Sequence, residues 1–144
     1  MVKIPLEVYD FANGLRPMAH FLLRSDKPHI FAPIKAIVDT GSPKTLIGLS
    51  DMKRLRISKV QLNTIEGPLN PIRIGGGSVK TKILPNAKIK FSDLFEIELD
   101  VNFPVSGDEQ INQPSLLGVD FLEKTGAGFS FNPSKREAYF EIED

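Results

Sequence analysis

Ala36-Ile37-Val38-Asp39-Thr40-Gly41-Ser42-Pro43-Lys44-Thr45-Leu46-Ile47-Gly48 runs from an apolar strand into a tight turn and back into apolar chain. Ile37-Val38 reads as the buried end of a strand. Gly41 frees the backbone for the turn that follows. A carboxylate at the end of a core strand is costly to bury unless it is hydrogen-bonded or paired. Asp39 is therefore either a cap for its own turn, through an Asx hydrogen bond, or a chemical group. The motif occurs once in the chain, so it offers one half of an acid/base pair.

The totals narrow the setting. At 144 residues, 41% of them hydrophobic, the chain reads as a single domain over residues 1–144. Eighteen basic and eighteen acidic residues give a formal net charge of zero. Nothing in that balance points to nucleic acid or to an anionic membrane. There is no cysteine, which removes disulfides, thiol catalysis and cysteine-ligated metals. Met1-Val2-Lys3-Ile4-Pro5 is followed by no long apolar stretch, so it does not read as a signal peptide. No segment approaches the ~20 apolar residues of a membrane span. A cytoplasmic protein is the expectation.

Outward from the Asp39 turn, the chain is mostly strand-like. Residues 3–11 partly alternate, and Asn13-Gly14 is a hairpin signal. Residues 18–24 and 30–38 read as further strands. Ser50 is placed to cap a short helix, Asp51 to Leu55. Ile72-Arg73-Ile74 and Val79 to Ile83 flank Gly75-Gly76-Gly77-Ser78, a hairpin with a glycine tip. Residues 88–91 and 95–101 alternate cleanly and read as paired strands. A loop covers residues 103–115, then Ser115-Leu116-Leu117-Gly118 leads into a short helix, Val119 to Lys124. Residues 129–131 and 137–142 close the chain as strands around an Asn132-Pro133-Ser134 turn. Many short strands with frequent turn residues predict an all-β barrel or sandwich.

Apolar-apolar-Asp-Thr-Gly-Ser, then a glycine-tipped hairpin, then Leu-Leu-Gly before a short helix: this order resembles the retropepsin-like aspartic proteases. Residues 36–48 and 116–122 carry the match, with support from 72–80. The resemblance implies an all-β, closed acid-protease barrel with one or two short helices and a flap hairpin. It also implies a homodimer in which each copy supplies one catalytic carboxylate, Asp39. Thr40 would hydrogen-bond across the two-fold axis. Gly41 would let the backbone come close to the carboxylate and substrate. Leu117 and Gly118 would pass beneath the Asp39 loop, the glycine giving clearance. Ile74, Gly75, Gly76, Gly77 and Ser78 would form the flap over a bound polypeptide, with Ile74 and Leu46 as apolar contacts. Termini often interleave in such dimers, which singles out residues 137–142 and the first strand.

Two departures from the retroviral pattern stand out, one at Ser42 and one at the pair Pro43 and Val119. Ser42 stands where those enzymes usually have alanine, as in pepsin-like and cellular retropepsin-like proteins. Pro43 and Val119 replace an acid and an arginine that pair with each other in retroviral enzymes. Both members are missing together, so no charge is stranded.

The chemistry implied is peptide hydrolysis by water held between two carboxylates that share one proton. It needs no metal and no cofactor. A Ser42 hydroxyl donating to Asp39 would favour its ionised form and an acidic optimum. His20 and His29 lack metal-ligand spacing and read as structural or solvated. Asp120 reads as a local cap or hydrogen-bond acceptor. Lys80, Lys82, Lys88 and Lys90 read as a solvated face that guards strand edges. The rival reading is a catalytically silent module of the same fold that binds peptide or dimerises, because fold does not guarantee chemistry. A third is a non-peptidase β-barrel in which Asp39 serves only its turn.

Overall fold

Strict alternation builds the strand that leads to Asp39. In β3 (Ile30–Val38), Ile30, Ala32, Ile34, Ala36 and Val38 are buried, while Phe31, Pro33 and Lys35 are exposed. That two-residue period is what a half-buried strand requires. The computed structural model describes residues 1–11, 13–74, 77–105 and 113–143.

β1 (Val2–Phe11) and β2 (Gly14–Ser25) form the hairpin expected at Asn13-Gly14, with Asn13 at φ 64°. β2 also pairs antiparallel with β3 and with β5 (Gly77–Phe91). β4 (Asn70–Ile74) pairs with β5 down to Ile74↔Gly77. Gly75 and Gly76, the expected flap tip, lie outside the described residues. β5 continues into an antiparallel ladder with β6 (Phe95–Pro104), irregular between Leu84 and Ala87. The short β7 (Ser115–Leu117) runs parallel to β3, with Val38 opposite Leu117. β8 (Gly128–Asn132) and β9 (Glu137–Ile142) form a hairpin, and β9 pairs with β1.

The ladders run β4-β5-β2-β1-β9-β8, with β3, β6 and β7 branching from that path. They do not return on themselves, so the expected closed barrel is not completed by the ladders among the described residues. The two terminal strands, expected to interleave between copies, are paired with each other inside one chain, Val2↔Ile142 to Leu6↔Ala138.

Three short α-helices occur among the described residues, rather than one or two: α1 (Leu49–Arg54), α2 (Lys59–Asn63) and α3 (Val119–Thr125). Ser50 does not cap α1. The N-cap is Gly48, without a side-chain cap, because a Cβ there would stand 2.1 Å from the Gln113 carbonyl oxygen. Backbone crowding overrides capping preference at this end. α2 starts on a capping box, Ser58 with Gln61, a Ser-x-x-Gln signature present in the sequence. α3 stops at Gly126, whose φ of 68° suits glycine. No helix among the described residues is long and apolar enough to cross a membrane.

The core is anchored by aromatic rings from distant elements. Phe121 of α3 lies 5.0 Å from Phe140 of β9 and 5.5 Å from Phe91 of β5, centroid to centroid. Phe121 and Phe140 are fully buried. Edge-to-face and tilted pairs at these distances add to the area they bury. Phe140→Ala is expected to cost about 3–5 kcal/mol, since it leaves a cavity at the centre of this cluster. Urea unfolding should show a lower midpoint with an unchanged slope.

Candidate active site

Asp39 is the first residue beyond β3. Its N–H donates to the Leu117 carbonyl at 3.0 Å, adding one bond to the β3–β7 pairing. The Ser42 N–H returns to the Asp39 carbonyl at 3.1 Å and closes the turn. Inside the turn, the Gly41 N–H donates to Asp39 Oδ1 at 2.8 Å. A Cβ at position 41 would stand 3.1 Å from that same oxygen, so glycine keeps the flank of the carboxylate clear. Asp39 is partly buried and Thr40 is exposed. Among the described residues the Thr40 hydroxyl has no hydrogen-bond partner.

Ser42 behaves differently from the sequence expectation. It is buried, 1% exposed, and its hydroxyl donates to the Lys44 carbonyl at 2.7 Å. A hydroxyl has one proton to give, so Ser42 holds the return leg of the turn and does not donate to Asp39. Leu46 also differs. It is fully buried between Leu116 and Asn102 and offers no wall to a substrate.

Leu117 and Gly118 lie where the chain crosses under the turn. The Val119 N–H donates to the Ser42 carbonyl at 2.9 Å, and Leu46 and Leu116 exchange backbone bonds of 2.9 and 2.7 Å. A Cβ on Gly118 would stand 2.5 Å from the Lys44 oxygen and 2.7 Å from the Ser42 oxygen. Only glycine lets these two backbones pass.

Thr45 secures the crossing, and sequence reading missed it. Its hydroxyl donates to Asp120 Oδ1 at 2.8 Å and accepts from the Gly118 N–H at 3.1 Å. Its N–H donates to Asp120 Oδ2 at 2.9 Å. Its carbonyl accepts from the N–H of Asn102 at 3.0 Å and from its side-chain amide at 3.1 Å. Asp120 does accept locally, from the Phe121 N–H at 2.9 Å, yet its main partner lies 75 residues away. A neutral threonine with a carboxylate thus links the two segments at which Pro43 and Val119 offer no ion pair.

Ile37, Asp39, Thr40, Leu116, Phe129 and Phe131 help line a groove of about 460 Å³. A larger concavity of about 820 Å³, walled by Tyr9, His20, Lys35 and Arg54, does not include the Asp39 turn. His20 sits 3.6 Å from Glu7 at the surface. Glu7 also accepts from the Tyr9 hydroxyl, which holds its carboxyl below the ordinary value. Among the described residues no group of three or more His, Asp or Glu is placed to hold a metal ion.

Burial raises the pKa of Asp120, and the bonds from Thr45 and Phe121 only partly offset this. The folded chain therefore favours the protonated carboxyl more than the unfolded chain does. Stability drawn from this group is fully present below the ordinary carboxylate pKa and is lost as pH rises through the raised folded value. Asp120→Asn removes that dependence. Measured by urea unfolding at each pH, the variant should therefore gain stability relative to wild type as pH rises from about 3 to about 7.

The sequence matches a family model described as aspartyl protease over residues 32–121. No curated protein matches it. The structure is similar to a retropepsin-like aspartic protease from Rickettsia conorii, with a TM-score of 0.59 and 18% identity over 96% of this chain and 89% of that one. At that identity the likeness shows the fold alone. The family match spans well over half of the chain and holds both the Asp39 turn and the Leu116-Leu117-Gly118 crossing beneath it. The chain belongs to the aspartyl protease family.

Proposed function

We propose that the chain is an aspartic endopeptidase that works as a homodimer, with Asp39 of each copy forming the dyad. One observation carries this reading. Asp39 is fixed from three sides, by Leu117, Ser42 and Gly41, yet it lines an open groove that holds no second carboxylate among the described residues. A carboxylate that only capped its turn would not need a crossing built beneath it.

In the dimer, the two carboxylates share one proton because like charges at short range cannot both ionise cheaply. The ionised member takes a proton from a water held between them. The protonated member gives its proton to the carbonyl oxygen of the scissile peptide. The water oxygen bonds to the carbonyl carbon, and a tetrahedral diol forms. Proton transfer to the leaving nitrogen then lets the C–N bond break. The β4–β5 hairpin, through Ile74, Gly75, Gly76, Gly77 and Ser78, is the cover for an extended polypeptide. Backbone pairing with that hairpin is the mode of binding. Thr40 is available for the partner copy, since its hydroxyl is exposed and unpaired among the described residues.

The test is cleavage of a denatured protein by wild type and variants. Asp39→Asn is expected to reduce kcat by at least about 10²–10⁴, the usual worth of positioned acid–base catalysis. A dimer whose cleavage survives that change overturns the proposal and leaves the silent binding module. Ser42→Ala removes the bond to the Lys44 carbonyl and should cost about 1 kcal/mol of stability. It should leave the acid limb of the pH–rate profile where it was, because that hydroxyl does not donate to Asp39. A displaced limb would return Ser42 to a role at the carboxylate.

A further inference from the structure

Alternation along β2 leaves one face of the sheet outside the core. Ala19, Phe21 and Leu23 are buried in the core, so His20 and Leu22 point the other way. Lys35 stands opposite His20, and Pro33 and Lys90 flank Leu22 on its two neighbouring strands. Residues opposite one another share a face. α1 walls one side of this face, where the Arg54 guanidinium donates to the Pro33 carbonyl at 2.9 Å. Tyr9 and Phe11, at the end of β1, wall another and are 36% and 41% exposed. Together they enclose the concavity of about 820 Å³ that excludes the Asp39 turn. We infer that this concavity binds a small organic anion, one acid group on an apolar body.

Charge selects the head of the ligand. Four basic side chains, His20, Lys35, Arg54 and Lys90, meet two acids, Asp10 and Asp51. Both acids are already engaged. Asp51 lies 3.2 Å from Arg54 and accepts from the Ser115 hydroxyl. Asp10 lies 3.3 Å from Arg136. Lys35 makes no ion pair among the described residues, and its ammonium rests 4.4 Å from the centre of the Tyr9 ring. Glu7 feels the Lys35 charge, but it is held by the Tyr9 hydroxyl and stands 3.6 Å from His20. Lys90 meets Asp93 at 3.7 Å, and that carboxylate is fully exposed. Such a pair is worth little in water. Lys35 and Lys90 are therefore surplus positive charge, and an anion complements it.

Surface and size select the body. Leu22, Pro33 and the two β1 rings present apolar surface, and buried Met18 lies in the same row as Leu22. The volume falls in the ~300–1,000 Å³ range of small-molecule sites. A bound cation is disfavoured, because Lys35 already takes the face of Tyr9. An extended peptide is a poorer fit. It needs a free strand edge to pair with, but Pro33 has no N–H to give and its carbonyl is taken by Arg54. This site stands apart from the proteolysis proposed above, and neither reading requires the other.

The probe is anilinonaphthalene sulfonate, an apolar anion that fluoresces when shielded from water, and the chain has no tryptophan to interfere. The folded wild type should bind it saturably. Octanoate should displace it, and octanol at the same concentration should not. Lys35→Met keeps an apolar stem and removes the charge. It should weaken binding at least about tenfold, the worth of a lost hydrogen bond to a charged group. Leu22→Asp puts a negative charge on the floor and should abolish binding. Arg16→Met, in the Asp39 groove, should leave binding unchanged. Urea unfolding of each variant shows that it is folded, and the exposed Lys35→Met carries the test if Leu22→Asp does not fold. Equal displacement by octanol means that charge is not read and overturns the inference. So does wild type that binds no probe, or Lys35→Met that binds like wild type. Binding lost in Arg16→Met and kept in Lys35→Met places the anion in the Asp39 groove instead.

Discussion

Two stretches of backbone cross at the limit of van der Waals contact, and the site depends on that crossing. Residues 42–46 pass over residues 116–119, and the Gly118 position has no room for a Cβ. Close approach lets Leu117 and Val119 reach both legs of the Asp39 turn through backbone bonds. A turn bonded from below and within itself is rigid before any substrate arrives, which is how a reacting group is preorganised. The turn could not be held this way by side chains alone, since flexible side chains lose entropy on ordering.

A buried polar cluster completes the crossing. Thr45, Thr81, Asn102 and Ser115 are all buried. Buried polar groups destabilise a fold unless they are satisfied. Here Thr81 donates to the Asn70 carbonyl at 2.7 Å, and Asn102 donates to the Thr45 carbonyl at 3.1 Å. The Ser115 hydroxyl accepts from the Gly48 N–H at 2.9 Å. The cluster joins β5, β6, β7 and α3 to the segment after Asp39. The core aromatics tie two of these elements, β5 and α3, to β9. Burial sets the fold's stability, and the polar cluster ties the segment after the Asp39 turn to the sheet.

The parts of this arrangement that were legible in the sequence are local. Asn13-Gly14 marked its hairpin, and Asn13 takes the positive φ that the turn requires. β3 was readable from alternation, and residues 137–142 coincide with β9. The capping box at Ser58 and Gln61 was present but overlooked, since α2 is too short for a periodic pattern. Ser42, Leu46 and Ser50 were misread for one shared reason. Each is controlled by chain that arrives from elsewhere: the close return at Lys44, the bridges to Leu116 and Asn102, and the carbonyl of Gln113 against Gly48.

By itself the sequence determined the chemistry available: one Asp-Thr-Gly turn at the end of a buried strand, no thiol, no second copy of the motif, and strand-rich patterning. Those features follow from residue types and short-range periodicity. Only the tertiary structure decided the partners. It gave the Ser42 proton to Lys44, tied Thr45 to Asp120 across 75 residues, paired the first strand with the last and left β8 paired on one side among the described residues. Hydrogen bonds and close contacts are short-ranged. Which groups come within reach is therefore decided by how the whole chain packs, not by the residues that flank them.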